Sequence, residues 1–411
     1  MSFDTETLYA LLPAIYRIRD AEQGESLKAL FAVLAEQVAV AEENLAQLYD
    51  DQFIETCAEW VIPYIGDLIG YRGLYDIKLA SKGTADALSV ARRAEVANTI
   101  GFRRRKGTVS MLEELARSTT HWSAHVVEFF QLLATTQYMK HLRPNNLHSP
   151  DLRKWEPLER LNSAFDSVAH SVDVRHIASG RGRYNIPNIG IFLWRLHAYA
   201  LTNSPAVQFP ADPRRYLFSP LGNNTPLFSR AQSKDEMSPL ATPTDVPMPI
   251  SRRVLDAYLD SYYGIDPKSL LLYVDGKPVL PDLQQPTQKI SDLIEVCNLS
   301  DLTDASNTVI GWAHIPQDKI AIDPVLGRIA FPPSKDAPTD VYVTFHYGFS
   351  ADMGGGDYDR SSTFTPKLQP IAEVPTLNAS IDDALKTLNG EGVVQIMDSQ
   401  RHVGPASINA K

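Results

Sequence analysis

Apolar residues near the start of the chain follow a helical period, and one stretch follows it with unusual regularity. Residues 4–18 predict a short helix, capped by Asp4 or Thr5 and interrupted at Pro13. After the turn-forming sequence AEQGES, apolar residues are spaced alternately by four and three positions. This heptad stripe consists of Leu27, Phe31, Leu34, Val38, Ala41, Leu45 and Leu48. Such spacing is typical of the a and d positions of a coiled coil, so we expect another helix against it.

Two arrangements would cover the heptad stripe. In the first, the helix packs on its own domain, which Leu30, Val33 and Val40 favour because they widen the apolar face. In the second, the helix joins a bundle with other molecules. Its length favours the bundle: it spans roughly 33 Å at 1.5 Å per residue, which is long for a helix near a chain end. The pattern alone leaves both open.

The next segment continues the helical pattern, from residue 53 to about residue 133. Its first part predicts a buried helical face, because apolar residues recur at positions i, i+1, i+4, i+7 and i+8. These residues are Phe53, Ile54, Cys57, Trp60 and Val61. Pro63 and Gly66 then predict a bend, so this stretch is interpreted as a hinge and local core.

The pattern changes in the second half of the chain. Residues 201–250 contain nine prolines and little periodicity, which predicts an extended arm with few ladder hydrogen bonds. Beyond them, SLLLYVDGKPVL and KIAIDPVLGRIAF each predict a β-hairpin, with turns at Asp275-Gly276 and Pro324–Gly327. DVYVTFHYGF predicts a further strong strand. An antiparallel β domain is therefore expected.

The C-terminal part predicts a boundary followed by a small unit. GGGDYDR at 354–360 is typical of a flexible connection. Residues 381–398 predict one short helix, a turn and one strand, which is too little to bury its own apolar face. We expect it to lean on a neighbour or to start a further β-rich domain, such as a β-helix.

Together these patterns predict a multidomain α+β protein. The predicted segments are N-terminal bundle helices (1–52), a helical or mixed domain (53–200), a Pro-rich arm (201–250), an antiparallel β domain (251–350), and a flexible boundary with a partial β-rich unit (351–411).

Composition narrows the classes of partner. The 411 residues carry a net charge of −10, which argues against binding of nucleic acid or anionic lipid by the whole surface and favours protein partners. Two cysteines are too few for a disulfide framework. The N-terminal sequence lacks the pattern of a signal peptide, and no apolar run approaches the roughly 20 residues that span a bilayer. We therefore expect synthesis in the cytoplasm without Sec export or membrane insertion.

Candidate catalytic groups are weak. Cys57 lies between Glu55 and Glu59, whose negative charges would raise the pKa of a thiol and oppose nucleophilic reactivity. In HWSAH, His121 and His125 would lie one helical turn apart, but the glutamate of a zinc protease motif is absent between them. We expect no catalytic residue, no cofactor and no metal.

One local charge cluster stands out against the acidic chain. The sequence GFRRRKGT at 101–108 is not a phosphate-binding loop, because its lysine precedes the second glycine. Residues 91–117 hold seven Arg and Lys against three Glu. The basic patch, Arg103, Arg104, Arg105 and Lys106, is interpreted as a docking patch for an acidic protein face. A solvated run of charge and a nucleic-acid site are the alternatives.

Several blocks of this sequence resemble a known protein family. They are LLPAIYRIRD, LYDDQFIETCAEWVIPYIGDLIG, RAEVANTIGFRRRKGT, LEELARSTTHWSAHVVEFFQLL, VDVRHIASGRGRYNIPNIGIFLWRL and IAIDPVLGRIAF. In this order, over roughly residues 8–350, they resemble the large baseplate wedge subunit of extracellular contractile injection systems. These phage-tail-like particles include the antifeeding prophage and the Photorhabdus virulence cassette.

The resemblance implies a structural role. Wedges would surround the spike hub with six-fold symmetry, and the heptad stripe would lie in a bundle with helices of a second wedge subunit. Other partners would be hub and sheath-proximal baseplate proteins, and rearrangement of the baseplate would trigger sheath contraction. The chain would then belong to an extracellular or membrane-anchored particle. A carbohydrate-active β-helix enzyme and a tail-associated receptor-binding protein are the alternatives.

Overall fold

The computed structural model shows a mixed α+β protein with two compact units, residues 1–121 and 122–411. Each unit is described by itself. The structure describes residues 4–72, 85–135, 138–141, 150–177, 181–210, 212–231, 240–265, 267–282, 288–305, 309–351, 353, 371–375, 380–388 and 392–402. Among these residues, no helix combines the length and apolar character that crossing a bilayer requires.

The first unit is helical. Pro13 ends the first helix as predicted, and Asp4 caps that helix by accepting a hydrogen bond from the Thr7 amide at 2.8 Å. A 3₁₀ turn, Glu59–Val61, precedes the fourth helix. The helices are α1 (Thr5–Ala10), α2 (Ala14–Glu22), α3 (Ser26–Asp50), α4 (Ile62–Leu68), α5 (Ala85–Arg104) and α6 (Val109–Thr120).

A small core forms where α4 and α5 meet. Cys57, Val61, Ile62 and Val96 are buried together, and Ile54 packs against them. The prediction that Trp60 belongs to this core is wrong, because its side chain is 67% exposed. The residues before α4 form turns rather than one continuous helix, so the expected apolar face does not form. Phe53 is exposed for the same reason.

The helical prediction also fails beyond residue 120. His121 adopts a left-handed conformation with φ of 57° and ends α6. Residues Ser123–Glu128 form strand β1, in which Ala124 and Val126 are buried at alternate positions. Strand β1 pairs antiparallel with β2, Ile189–Trp194.

The second unit contains the remaining elements. Its helices are α7 (Trp155–Glu159), α8 (Arg252–Ala257), α9 (Leu259–Tyr262), α10 (Ile290–Leu293) and α11 (Ile381–Thr387). Its further strands are β3 (His197–Pro205), β4 (Val207–Gln208), β5 (Arg215–Leu217), β6 (Leu271–Val274), β7 (Lys277–Pro278), β8 (Ile294–Val296), β9 (Asp301–Thr303), β10 (Val309–Trp312), β11 (Ile320–Asp323), β12 (Arg328–Ala330), β13 (Val341–Phe349), β14 (Ile371–Val374) and β15 (Val393–Ile396).

Two sheets share the main core of this unit. One has the order β4-β5-β12-β11-β8 and the other β3-β13-β6-β7. Both predicted hairpins, β6-β7 and β11-β12, are confirmed, and β13 is the predicted strong strand. Phe218 meets Phe345 edge to face at 5.6 Å within this core.

The predicted Pro-rich arm is instead part of this folded unit. β3 is the edge strand that pairs with β13, and β5 pairs with β12. Leu227 and Val246 are fully buried. Hydrogen bonds outside the ladders hold the stretch, including Leu227 N–H to Pro324 C=O at 2.8 Å. Sequence reasoning failed here because prolines mark strand ends and turns, and the apolar residues between them still pack.

The C-terminal segment forms a β-α-β unit. β14 and β15 pair in parallel, and α11 buries Ala384 and Leu388 against Ala372 and Val374. The predicted helix and strand are therefore confirmed. Ser399 N–H donates to the carbonyl of Thr202 in β3 at 2.7 Å, so the segment also contacts the main sheet. The predicted flexible boundary at 354–360 lies outside the described residues.

A buried ion pair joins α8 to the main core. Asp323 is fully buried and accepts two hydrogen bonds from Arg252 at 2.8 Å. The same carboxylate accepts from the amides of Leu299 at 2.8 Å and Val325 at 3.1 Å. Every carboxylate oxygen is therefore hydrogen-bonded, which offsets the cost of burying its charge.

Replacing Asp323 with alanine should destabilise the protein by about 3–5 kcal/mol, because Arg252, the buried amide of Leu299 and the part-buried amide of Val325 lose their acceptor. Chemical denaturation monitored by tryptophan fluorescence measures the change. Asp318→Ala, at an exposed site, is the matched control. A loss below about 1 kcal/mol for Asp323→Ala would contradict this account.

Candidate docking surface on helix α3

A carboxylate outside α3 fixes its first turn. Asp20 accepts hydrogen bonds from the amides of Leu27 at 2.7 Å and Lys28 at 3.0 Å. The Tyr9 hydroxyl donates to the same carboxylate at 2.8 Å. Glu25, which directly precedes α3, makes no side-chain cap. Asp20 therefore supplies the N-terminal cap that satisfies two amides and joins α1, α2 and α3.

These contacts also shift the ionisation of Asp20. Burial acts to raise its pKa, but the hydrogen bonds from Leu27, Tyr9 and Lys28 outweigh that effect and lower the pKa below its ordinary value. The ionised carboxylate is the form that these donors stabilise. The start of α3 is therefore held best when Asp20 is charged.

The heptad stripe is partly covered as far as Val38, and Ala35 beside it is buried. Tyr9 of α1 meets Phe31 edge to face at 6.2 Å, and Leu27, Phe31 and Val38 are half-buried. Further along, Leu45 is 69% and Leu48 is 62% exposed. Leu34 and Ala41 are exposed as well, and so are Leu30, Val33 and Val40 beside the stripe. The chain itself thus leaves most of this apolar face in water.

Such a face is unusual on one helix. Isolated exposed leucines are common on protein surfaces, but a contiguous apolar strip along a helix marks an interaction site. The 4-3 spacing of the exposed positions restricts the shape of the occupant, because only another helix presents side chains with the matching period. Of the two arrangements left open by the sequence, packing within the chain covers part of the stripe as far as Val38 and leaves Ala41, Leu45 and Leu48 exposed.

An arginine fixes the segment that follows α3. The guanidinium of Arg93 on α5 donates to the carbonyl oxygens of Ile54 at 2.6 Å and Cys57 at 2.7 Å, and to that of Glu55 at 3.3 Å. We term this the Arg93 clamp. Because the donors are charged and the acceptors are backbone groups, the clamp fixes the course of the chain rather than one side chain.

The basic patch is partly engaged by the chain itself. Arg103 donates to the carbonyls of Ile69 at 2.7 Å and Gly70 at 2.5 Å, which satisfies the end of α4. Arg105 pairs with the buried carboxylate of Glu114 at 2.7 Å. Arg104 and Lys106 are exposed, so these two remain the residues of the predicted docking patch that point to solvent.

Neither of the weak chemical candidates gains support. Cys57 is buried, and its sulfur lies 3.4 Å from the Arg93 guanidinium, so its nearest charge is positive rather than the predicted acidic neighbours. His121 ends α6, whereas His125 lies in β1 and stacks on Phe165 at 4.8 Å, so the two are not a helical pair. Within the described part of the chain, no group of three or more His, Cys, Asp or Glu could hold a metal ion.

Sequence reasoning missed Arg93 and an exposed aromatic pair. Trp60 and Tyr64 meet edge to face at 6.2 Å on the outside of the α4 region, and Leu68 continues their row. The spacing of four residues was a usable signal for this second apolar row. Arg93 gave no local signal, since its acceptors lie 36 to 39 residues earlier in the chain.

No known family model matches this chain, and neither a curated protein nor a solved structure shows significant similarity to it.

The lowered pKa of Asp20 predicts a pH dependence of the N-terminal helices. A carboxylate whose pKa is lower in the folded state stabilises that state above its unfolded pKa, and the contribution is lost as pH falls through the folded value. The helical circular dichroism signal of wild type should therefore fall more steeply below about pH 4 than that of Asp20→Asn. If the helical signals of wild type and Asp20→Asn fell equally with decreasing pH, the capping role of Asp20 would be contradicted.

The Arg93 clamp predicts a local loss of order. Arg93→Leu should destabilise the first unit by about 1.5–3 kcal/mol, the range for hydrogen bonds from a charged donor, and should speed amide exchange around residues 53–58. Hydrogen exchange with mass spectrometry measures both effects. Arg104→Leu, an exposed arginine on the same helix, is the matched control, and equal exchange in the two variants would refute the clamp.

Proposed function

We propose that the chain is a structural subunit of the baseplate of a contractile, phage-tail-like injection particle, of the large wedge type. The observation that carries the proposal is the exposed heptad stripe on α3. A 25-residue helix that leaves its apolar stripe in water is suited to assembly rather than to catalysis. The resemblance of the quoted sequence blocks to the large baseplate wedge subunit indicates which kind of assembly is meant.

The energetics of the stripe favour association. Burying a leucine side chain is worth about 1.5–3 kcal/mol, so Leu34, Leu45 and Leu48 together offer several kcal/mol to a partner helix. Association costs several kcal/mol in lost freedom, and therefore the whole stripe must be covered for a stable complex. Helices of a second wedge subunit are the proposed occupants.

The proposed mechanism is a change between two states of the assembled ring. Six such subunits surround the spike hub and contact sheath-proximal proteins, and a trigger favours one arrangement of the ring. About 5.5 kcal/mol shifts a two-state population from 1:99 to 99:1, and coupled copies share this demand. The Arg93 clamp supports the proposal because it ties the end of the bundle helix to the core around α4 and α5.

The double variant Leu45→Asp and Leu48→Asp should abolish assembly without unfolding the chain. Both side chains are exposed in the isolated chain, so the added charges cost little until a partner must bury them. The chain is expressed with its genomic neighbours and isolated by affinity chromatography, and particles are counted by negative-stain microscopy. Wild type should yield ring-shaped complexes and the double variant none.

Ala46→Asp provides the matched control. Ala46 is exposed and lies about 100° around the helix from Leu45, off the heptad stripe. It adds a charge to the same turn and should leave assembly intact. Normal rings from the double variant would contradict the proposed helix bundle. A wild-type chain that always elutes alone would contradict it as well.

A further inference from the structure

Strand β2 has an edge that natural sheets rarely leave open. Within the described residues its backbone pairs only with β1. Its sequence, IGIFLW, contains no charged residue and no proline, which are the usual means of protecting an edge strand. Alternate N–H and C=O groups of an unprotected edge are available to another strand.

The side chains of β2 differ between its two faces. Ile189, Ile191 and Leu193 are exposed, with Ile191 51% accessible. On the opposite face, Trp194 stacks on Phe165 at 5.6 Å. An added Cβ at Gly190 would lie 2.8 Å from the Phe129 ring, so this face is closely packed. One face of β2 is thus closely packed. The other carries an apolar ridge beside the open edge, although Ala124 and Val126 of β1, on the same face, are buried.

The loop beside β2, of which residues 160–177 and 181–188 are described, is held by polar contacts and turns apolar groups outward. Asp166 is buried and accepts from the amides of Asn162 and Val168 and from the Tyr184 hydroxyl, each at 2.9 Å. The same carboxylate contacts His170 at 2.8 Å. Asn188 donates to the carbonyl of Gly182 at 2.7 Å, which holds this part of the loop at the start of β2.

The outward groups of this loop are apolar. The exposed side chains are Leu161, Val172, Val174, Ile177 and Ile186. The order of the loop therefore does not depend on burying these groups. A surface that is rigid before binding loses little conformational entropy when a partner covers it.

Charge distinguishes the kind of partner. Residues 160–196 contain five arginines, at 160, 175, 181, 183 and 195, against the two aspartates 166 and 173. Both carboxylates are engaged locally, Asp166 as above and Asp173 by Arg175 at 2.5 Å. Arg181 and Arg195 are exposed and form no ion pair with a described residue. On a chain of net charge −10, arginines flank this apolar edge at both ends, and the Glu128 carboxylate opposite Ile189 accepts a hydrogen bond from Gln131 at 2.8 Å.

We propose that the open edge of β2 receives an extended segment of a partner protein as a third strand. The segment carries acidic residues at its ends, which meet Arg181 or Arg183 at one end of β2 and Arg195 at the other. Backbone hydrogen bonds supply the affinity of such strand addition, and the ridge of Ile189, Ile191 and Leu193 selects apolar side chains. This inference goes beyond the wedge proposal, because it concerns the second unit and does not involve α3.

Synthetic peptides test the proposal on the full chain. The probe peptide alternates valine and threonine and carries aspartate at both ends. The comparison peptide has the same sequence with lysine at both ends. The aspartate peptide should bind about tenfold more tightly at low salt, as expected for two exposed ion pairs of up to about 1 kcal/mol each. Hydrogen exchange with mass spectrometry should show new protection of amides in 189–194 at saturating peptide.

Two controls distinguish strand addition from nonspecific binding of the peptide. A backbone N-methylated aspartate peptide cannot form the ladder and should give no protection. Arg181→Glu with Arg195→Glu should remove or reverse the preference for the aspartate peptide, whereas Arg19→Glu, at an exposed site on α2 outside the basic patch, should leave it unchanged. Equal binding of the methylated peptide, equal binding of the lysine peptide, or no protection of 189–194 would each overturn the proposal. The ring assembly of the chain is a separate readout.

Discussion

The proposed assembly depends on one interaction, the burial by another helix of the apolar side chains that α3 leaves exposed. The contacts at the start of α3, from Tyr9 and Asp20, are directional and polar at their centre. They set where the helix begins without covering its later turns. Contacts within the chain therefore fix the position of α3, and in the proposed assembly a partner helix adds to its stability. Isolated helices of this kind are only marginally stable, so partner binding and helix stability are coupled.

The second unit shows the opposite distribution of stability. Its two main sheets share one apolar core, and a buried ion pair between Arg252 and Asp323 joins a helix to that core. The loop and ribbon around β2 lie outside this core and combine side-chain hydrogen bonds with buried apolar residues, among them Ala124, Val126 and Phe129. A polar loop and an open strand edge can present a surface without a partner, since neither needs the partner in order to fold. The second unit thus has a self-sufficient core, and each unit carries one of the two proposed docking surfaces.

Sequence patterns predicted the elements whose signals are local. The helix of the heptad stripe, the interruption at Pro13, both hairpins and the C-terminal helix and strand follow from periodicity and turn residues. The errors arose where distant residues decide. Trp60 was expected in the core because spacing assumed a continuous helix, and residues 201–250 were read from their prolines rather than from the apolar residues between them. The candidate surface on α3 was found from sequence, but its exposure required the structure, because periodicity cannot show which turns α1 covers.

The Arg93 clamp has a mechanical consequence. A long helix that ended in a loose linker would rotate without moving the body attached to it. Here one guanidinium binds three backbone oxygens within four residues just after the helix, at Ile54, Glu55 and Cys57. The joint is thus stiff where a swivel would be expected. A displacement of α3 across its axis would therefore be passed on to the core around α4 and α5.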